Sequence, residues 1–94
     1  MARIEQQIAR MSEGRVRFDP HRRRLAVVAE DGAVQAQATV REVQLRNRLQ
    51  RLLLNAPNAG AGEPEEISIR LLLTQVEGVT SAPAPSEALQ RLVS

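Results

Sequence analysis

Cysteine, lysine, tyrosine and tryptophan are all missing from this 94-residue chain, and Phe18 is its only aromatic residue. Without cysteine there are no disulfides, no thiolate chemistry and none of the common zinc sites. Without aromatics, which usually supply much of a core's buried area, the interior has to be built from Leu, Ile, Val and Ala. A chain this short buries roughly 60–65% of its extended surface on folding, and the near absence of aromatics, with many alanines, points to a thin core that a partner subunit completes. No apolar run approaches the roughly eighteen residues that span a bilayer. The opening MARIEQQIARMSEG carries acids and glutamines where a signal peptide needs an unbroken apolar segment. A cytoplasmic location, or one within a particle assembled there, is therefore expected.

What the chain does contain is arginine. All thirteen basic residues are Arg, against eleven acids, and the formal net charge is only +2. The distribution is lopsided. Residues 1–24 hold seven Arg and three acids, residues 25–62 four and three, and residues 63–94 two Arg and five Glu. The net charge thus runs from +4 through +1 to −3 along the chain. Such asymmetry bears on association more than on fold.

The clearest element is a β-hairpin. Leu25, Val27 and Ala29 alternate on one strand, and Val34, Ala36, Ala38 and Val40 on the next, around Asp31-Gly32. That dipeptide favours a two-residue type I′ loop. Upstream, Ile4, Ile8 and Met11 mark a helix over residues 2–12 that Gly14 ends in a left-handed conformation. Arg15–Phe18 alternates as a short strand before an Asp19-Pro20 turn. Downstream, Thr39 and Glu42 fit a capping box, with residues 40–43 open between strand and helix. The following helix runs from Gln44 to about Asn55 on a stripe of Leu45, Leu49, Leu52 and Leu53.

The segment 55–62 reads as a mobile loop. After a Glu63-Pro64-Glu65-Glu66 helix start, residues 67–77 fit a helix slightly better than a strand. Residues 80–86 form a Pro/Ala/Ser linker, and residues 86–94 a short helical tail that needs a surface to dock on. The expectation is a small α+β domain over residues 1–79, with a hairpin or three-stranded antiparallel sheet packed with two to three helices, followed by a linker and tail over 80–94.

No residue constellation points to catalysis, and no enzyme, cofactor or metal is expected. His21 is the only side chain of a type that titrates near neutrality, and it sits in a turn among Pro20 and three arginines. Glu63, Glu65 and Glu66 suit the positive end of a helix dipole and lack a His or Asp to complete a metal site. Gly60 and Gly62 lack the Lys of a phosphate loop, and no Ser lies in a nucleophile-elbow context.

Two kinds of surface remain. Arg22, Arg23 and Arg24 run into the hairpin, and Arg41, Gln44, Arg48 and Arg51 fall within roughly an 80° stripe of a helix at 100° per residue. Arginines so arranged suit phosphate contacts. The absence of stacking aromatics and the modest total charge weigh against nucleic acid. Gln35, Gln37 and Thr39 form an uncharged strand face, poorly defended against pairing or packing with another chain. Leu89, Leu92 and Val93 give the tail an apolar face. The favoured expectation is a non-catalytic structural or assembly subunit, or a protein-interaction module, that self-associates or docks in a larger particle. The alternative is a small arginine-rich nucleic-acid-binding protein or regulator.

Overall fold

The computed structural model describes residues 3–56, 58 and 60–94. Seven elements follow in order: α1 (Ile4–Met11), β1 (Val16–Asp19), β2 (Arg24–Val28), β3 (Val34–Thr39), α2 (Glu42–Leu54), α3 (Pro64–Val79) and α4 (Pro85–Val93). The fold is a small α+β domain with a three-stranded antiparallel sheet, as expected, but with four helices among the described residues. The sheet order is β1-β2-β3. Its register sets Val16 opposite Val27 and Phe18 opposite Leu25, then Leu25 opposite Ala38 and Val27 opposite Ala36. These six residues stand on one face of the pleat and are buried there. The helices gather on that face, with Ile4, Ile8, Leu45, Leu49, Ile69, Leu72, Leu89 and Val93 in the same core.

The hairpin loop differs from the expected type I′ turn. Asp31 does not take a positive φ, whereas Gly32 sits at φ 87°. The Gly32 N–H donates to Ala29 O at 2.9 Å, and the Ala29 N–H to Ala33 O at 2.8 Å. Asp31 Oδ1 accepts from the Ala33 N–H at 3.0 Å. The loop is thus three residues long and closes through a left-handed glycine. The pairing register then shifts, from Val27 opposite Ala36 to Val28 opposite Val34, leaving Gln35 as an extra residue on β3. A bulge resets the alternation, so Val34, expected inside, is 57% exposed.

Helix ends also correct the expectations. At the end of α1 the Gly14 N–H donates to Ala9 O and the Glu13 N–H to Arg10 O. This is the double closure in which the residue after the cap turns left-handed. That residue is Glu13, at φ 56°, with Gly14 following at φ 80°. No capping box forms between Thr39 and Glu42, because Thr39 stays in β3 and Arg41 takes the cap position without a side-chain bond. Helix α2 starts two residues earlier than expected. Residues 67–77 lie wholly within α3, which buries Ile67, Ile69, Leu72, Val76 and Val79. The expected loop 55–62 includes residues 57 and 59, and the expected helix over 2–12 includes residue 2, all three outside the described residues.

The largest revision concerns the C-terminus. Residues 85–94 are not a tail beyond a domain ending at 79. Leu89 and Val93 are fully buried in the common core, and Leu92 is packed against it. Helix α4 also closes the outer edge of β3. The Gln37 N–H donates to Ser86 Oγ at 3.1 Å, and the Thr39 N–H to Gln90 Oε1 at 2.8 Å. Gln90 Nε2 returns a bond to Thr39 O at 2.9 Å. One side-chain amide thereby occupies both backbone groups of Thr39, as a neighbouring strand would. At the opposite edge, Ser12 Oγ accepts from the Val16 N–H at 3.0 Å and lies 3.1 Å from Val16 O, to which it can donate.

Replacing Gln90 with Ala should therefore cost only about 1 kcal/mol, since water reaches the freed groups of Thr39. It should also raise the tendency to aggregate, because an unguarded strand edge templates pairing. A urea denaturation midpoint would read the first effect, and light scattering of the native protein at high concentration the second.

Candidate interaction site

The geometry sorts the surfaces proposed from sequence. Arg22 and Arg23 lie in the β1–β2 turn. There Asp19 Oδ1 accepts from the backbone N–H groups of His21 and Arg22, at 3.0 and 3.2 Å. Arg23 then takes φ 54°, a conformation non-glycine residues rarely adopt. Arg24 opens β2 opposite Thr39, and the Val40 N–H donates to Arg23 O at 2.8 Å. This pairing brings the end of β3, and with it Arg41, beside the turn. Arg22, Arg23, Arg24 and Arg41 thus gather at one pole, all exposed.

Arg41 precedes α2 and so does not continue the helical stripe that was expected to carry it. Gln44, Arg48 and Arg51 do lie on α2. Gln44 and Arg51 are exposed, and Arg48 is half-buried with an Nε that finds no hydrogen-bond partner. Acids neutralise only part of this arginine content. Arg22 pairs with Asp19 at 3.8 Å, and Arg46 with Glu42 at 3.1 Å and Glu65 at 3.6 Å. These are solvent-facing pairs and contribute little stability.

The interface expected at Gln35, Gln37 and Thr39 divides in two. Their side chains are exposed on the open face of the sheet, but the strand edge beneath them is occupied by Ser86 and Gln90. Strand addition at β3 is blocked, so only packing on the face is available. Across that face, the row Arg17–Ala26–Gln37 and the row Asp19–Arg24–Thr39 put Arg17, Arg24 and Asp19 on the same side of the sheet as the β3 amides. Leu89 and Val93 are not surface groups at all. They are spent on the core, as their spacing of four along a docked helix allows.

One surface escaped the sequence reading. On α2, Leu45 and Leu49 are buried, Leu52 and Leu53 are half-buried, and Leu54 is 72% exposed. Val43 is 64% exposed. Val43, Asn47, Gln50 and Leu54 fall within about 60° of one another at 100° per residue. They form an outward stripe with no charge on it, bounded by Arg46 on one side and Gln44 and Arg51 on the other. The signal was present in the spacing 4-3-4, which is that of a coiled-coil seam. It was masked by the stronger leucine stripe on the opposite side.

An open cleft of about 320 Å³ lies between the end of α1, β1, β2 and α3, floored by Val16, Val27 and Val76 with Glu13, Arg15 and Glu77 at its rim. Its polar groups include no nucleophile paired with a base. Among the described residues no three of the His, Asp or Glu side chains gather as a metal site, and no helix is long and apolar enough to cross a membrane. Comparison of the chain with protein-family models, with curated proteins and with solved structures finds no match.

Proposed function

We propose that this chain is a non-catalytic assembly subunit, a protein-interaction module that self-associates or docks in a larger particle, working in the cytoplasm or within a particle assembled there. The observation that carries this reading is the outward stripe of α2. A small domain whose only aromatic residue is Phe18 leaves Val43 and Leu54 in solvent on one helix face, with only the uncharged Asn47 and Gln50 between them. Single exposed aliphatics need no explanation, but two aligned on one uncharged helix face suit a partner. The charge asymmetry along the chain favours association in a fixed orientation.

The test is sedimentation equilibrium of the purified chain from about 10 µM to about 1 mM, a range that covers weak protein contacts. A mass that rises with concentration is expected.

A second reading rests on the arginine pole. Arg22, Arg23, Arg24 and Arg41 converge there, with Arg22 paired to Asp19. If the pole contacts phosphates, binding to duplex or single-stranded nucleic acid should weaken steeply with salt. The slope should drop by roughly one for each of these arginines changed to Gln. No binding at low salt removes this alternative.

A further inference from the structure

We infer that the partner of the α2 stripe is a second copy of α2, lying antiparallel across a twofold axis between residues 48 and 49. This rests on the protein-interaction reading above and specifies its partner. The stripe is a palindrome in chemistry and in spacing. Counted from that axis, Val43 and Leu54 are equidistant, and so are Asn47 and Gln50. Reversal therefore lays each aliphatic against the other kind, and each amide against an amide. In coiled-coil terms Val43 and Gln50 take one seam position and Asn47 and Leu54 the other. Antiparallel pairs mix the two positions in every layer. The central amides each carry donors and acceptors, so Asn47 and the partner's Gln50 can satisfy one another. Two of the four layers are then polar, and polar layers fix register and orientation at a cost in stability.

The flanks decide the direction. In a parallel pair, Arg46 of one helix would face Arg51 of the other on both sides of the seam, which is like-charge repulsion. In the antiparallel pair Arg51 lies beside the partner's Gln44, and the stem of Arg46 beside the partner's half-buried Leu53. Arg46 also keeps its own acids, Glu42 and Glu65. Neither flank pairing sets like charges side by side. The thirteen residues of α2 give a contact about 20 Å long. That is smaller than a standard interface, so the dimer is weak alone, with a Kd on the order of 100 µM. Such affinity suits a contact repeated in an assembly.

The native chain contains no cysteine, which makes cross-linking a clean test. Val43→Cys and Leu54→Cys are made separately in the full chain and oxidised with glutathione disulfide, alone and mixed. Because both positions are exposed, neither change should perturb the fold. The expected result is a disulfide-linked dimer in the mixture, with little in either variant alone. Leu54→Glu should weaken self-association at least about tenfold with an unchanged thermal melt. Replacing Asn47 and Gln50 with Leu together should tighten it. A Val43→Cys chain that links to its own kind indicates parallel pairing and overturns the proposal. Concentration-dependent mass without any 43–54 link, and unaffected by Leu54→Glu, also overturns it while leaving self-association intact. A strict monomer at about 1 mM overturns both self-pairing and self-association.

Discussion

A chain ending at Ala84 should fail to fold, and circular dichroism should show a broad, non-cooperative melt in place of a sharp one. The truncation removes Leu89 and Val93, both fully buried, and the partly buried Leu92. Burying each such side chain contributes about 1.5–3 kcal/mol. It also bares the core neighbours that α4 covers, and frees the outward N–H groups of Gln37 and Thr39. The summed loss is on the order of 5–8 kcal/mol from burial and bonds together. A domain of this length has a total stability of roughly 5–14 kcal/mol. The open β3 edge should then drive the unfolded or partly folded chain to aggregate. A truncated chain that melts cooperatively within a few degrees of the full one would mean that α4 is an appendage, and that the core closes without it.

That helix also marks where the sequence stops being readable. Leu89 and Val93 one turn apart, after Pro85, are enough to name a helix. Whether nine residues dock depends on what waits for them, and here it is the shallow side of β3 at Ala36 and Ala38. Small side chains there leave room for close approach. The uncharged Gln37 and Thr39 supply the edge that Ser86 and Gln90 bind. Both halves of the contact were legible separately, and fifty residues of chain separate them. The hairpin, by contrast, was readable because its evidence is local, with period-two alternation on each side of Asp31-Gly32. Even so, one residue more in the loop inserted the bulge at Gln35 and turned Val34 outward. Loop length, which alternation cannot count, decided that side chain's fate.

The ambiguity over residues 67–77 was resolved by burial. Ile69, Leu72, Val76 and Val79 recur at helical spacing inside the core, while the strand alternative would have buried Leu71 and Leu73, which are only half-covered. On α2 the inner stripe carries four leucines, and the outer one only Val43 and Leu54 beside two amides. Val43 sat in the region left open between strand and helix. Only a helix that begins at Glu42 puts Val43 on one face with Leu54. The arginines were grouped by helical angle along a single helix, and Arg41 precedes that helix. The antiparallel pairing of β2 with β3 instead sends Arg41 to the pole that Arg22–Arg24 occupy.

Replacing Phe18 with Ala should cost about 3–5 kcal/mol, the range for removing a buried aromatic ring. Phe18 is only 6% exposed and stands opposite Leu25, itself fully buried in the middle strand. No other aromatic residue exists in the chain to refill the space. The neighbours available to collapse are aliphatics such as Ile4 and Ile8, already fully buried in helix α1. At roughly 4–8 °C per kcal/mol for a domain of this size, the midpoint should fall by about 12 °C or more. Phe18→Leu keeps most of the apolar volume and should lose less than about 1.5 kcal/mol. The contrast between the two variants separates volume from aromatic character. If Phe18→Ala melted within a few degrees of the native chain, the space under β1 would have to be filled by relaxation of α1, and the core would be softer than its burial implies. If both variants were equally damaging, the ring's shape against Leu25, and not its volume, would hold β1 to the sheet.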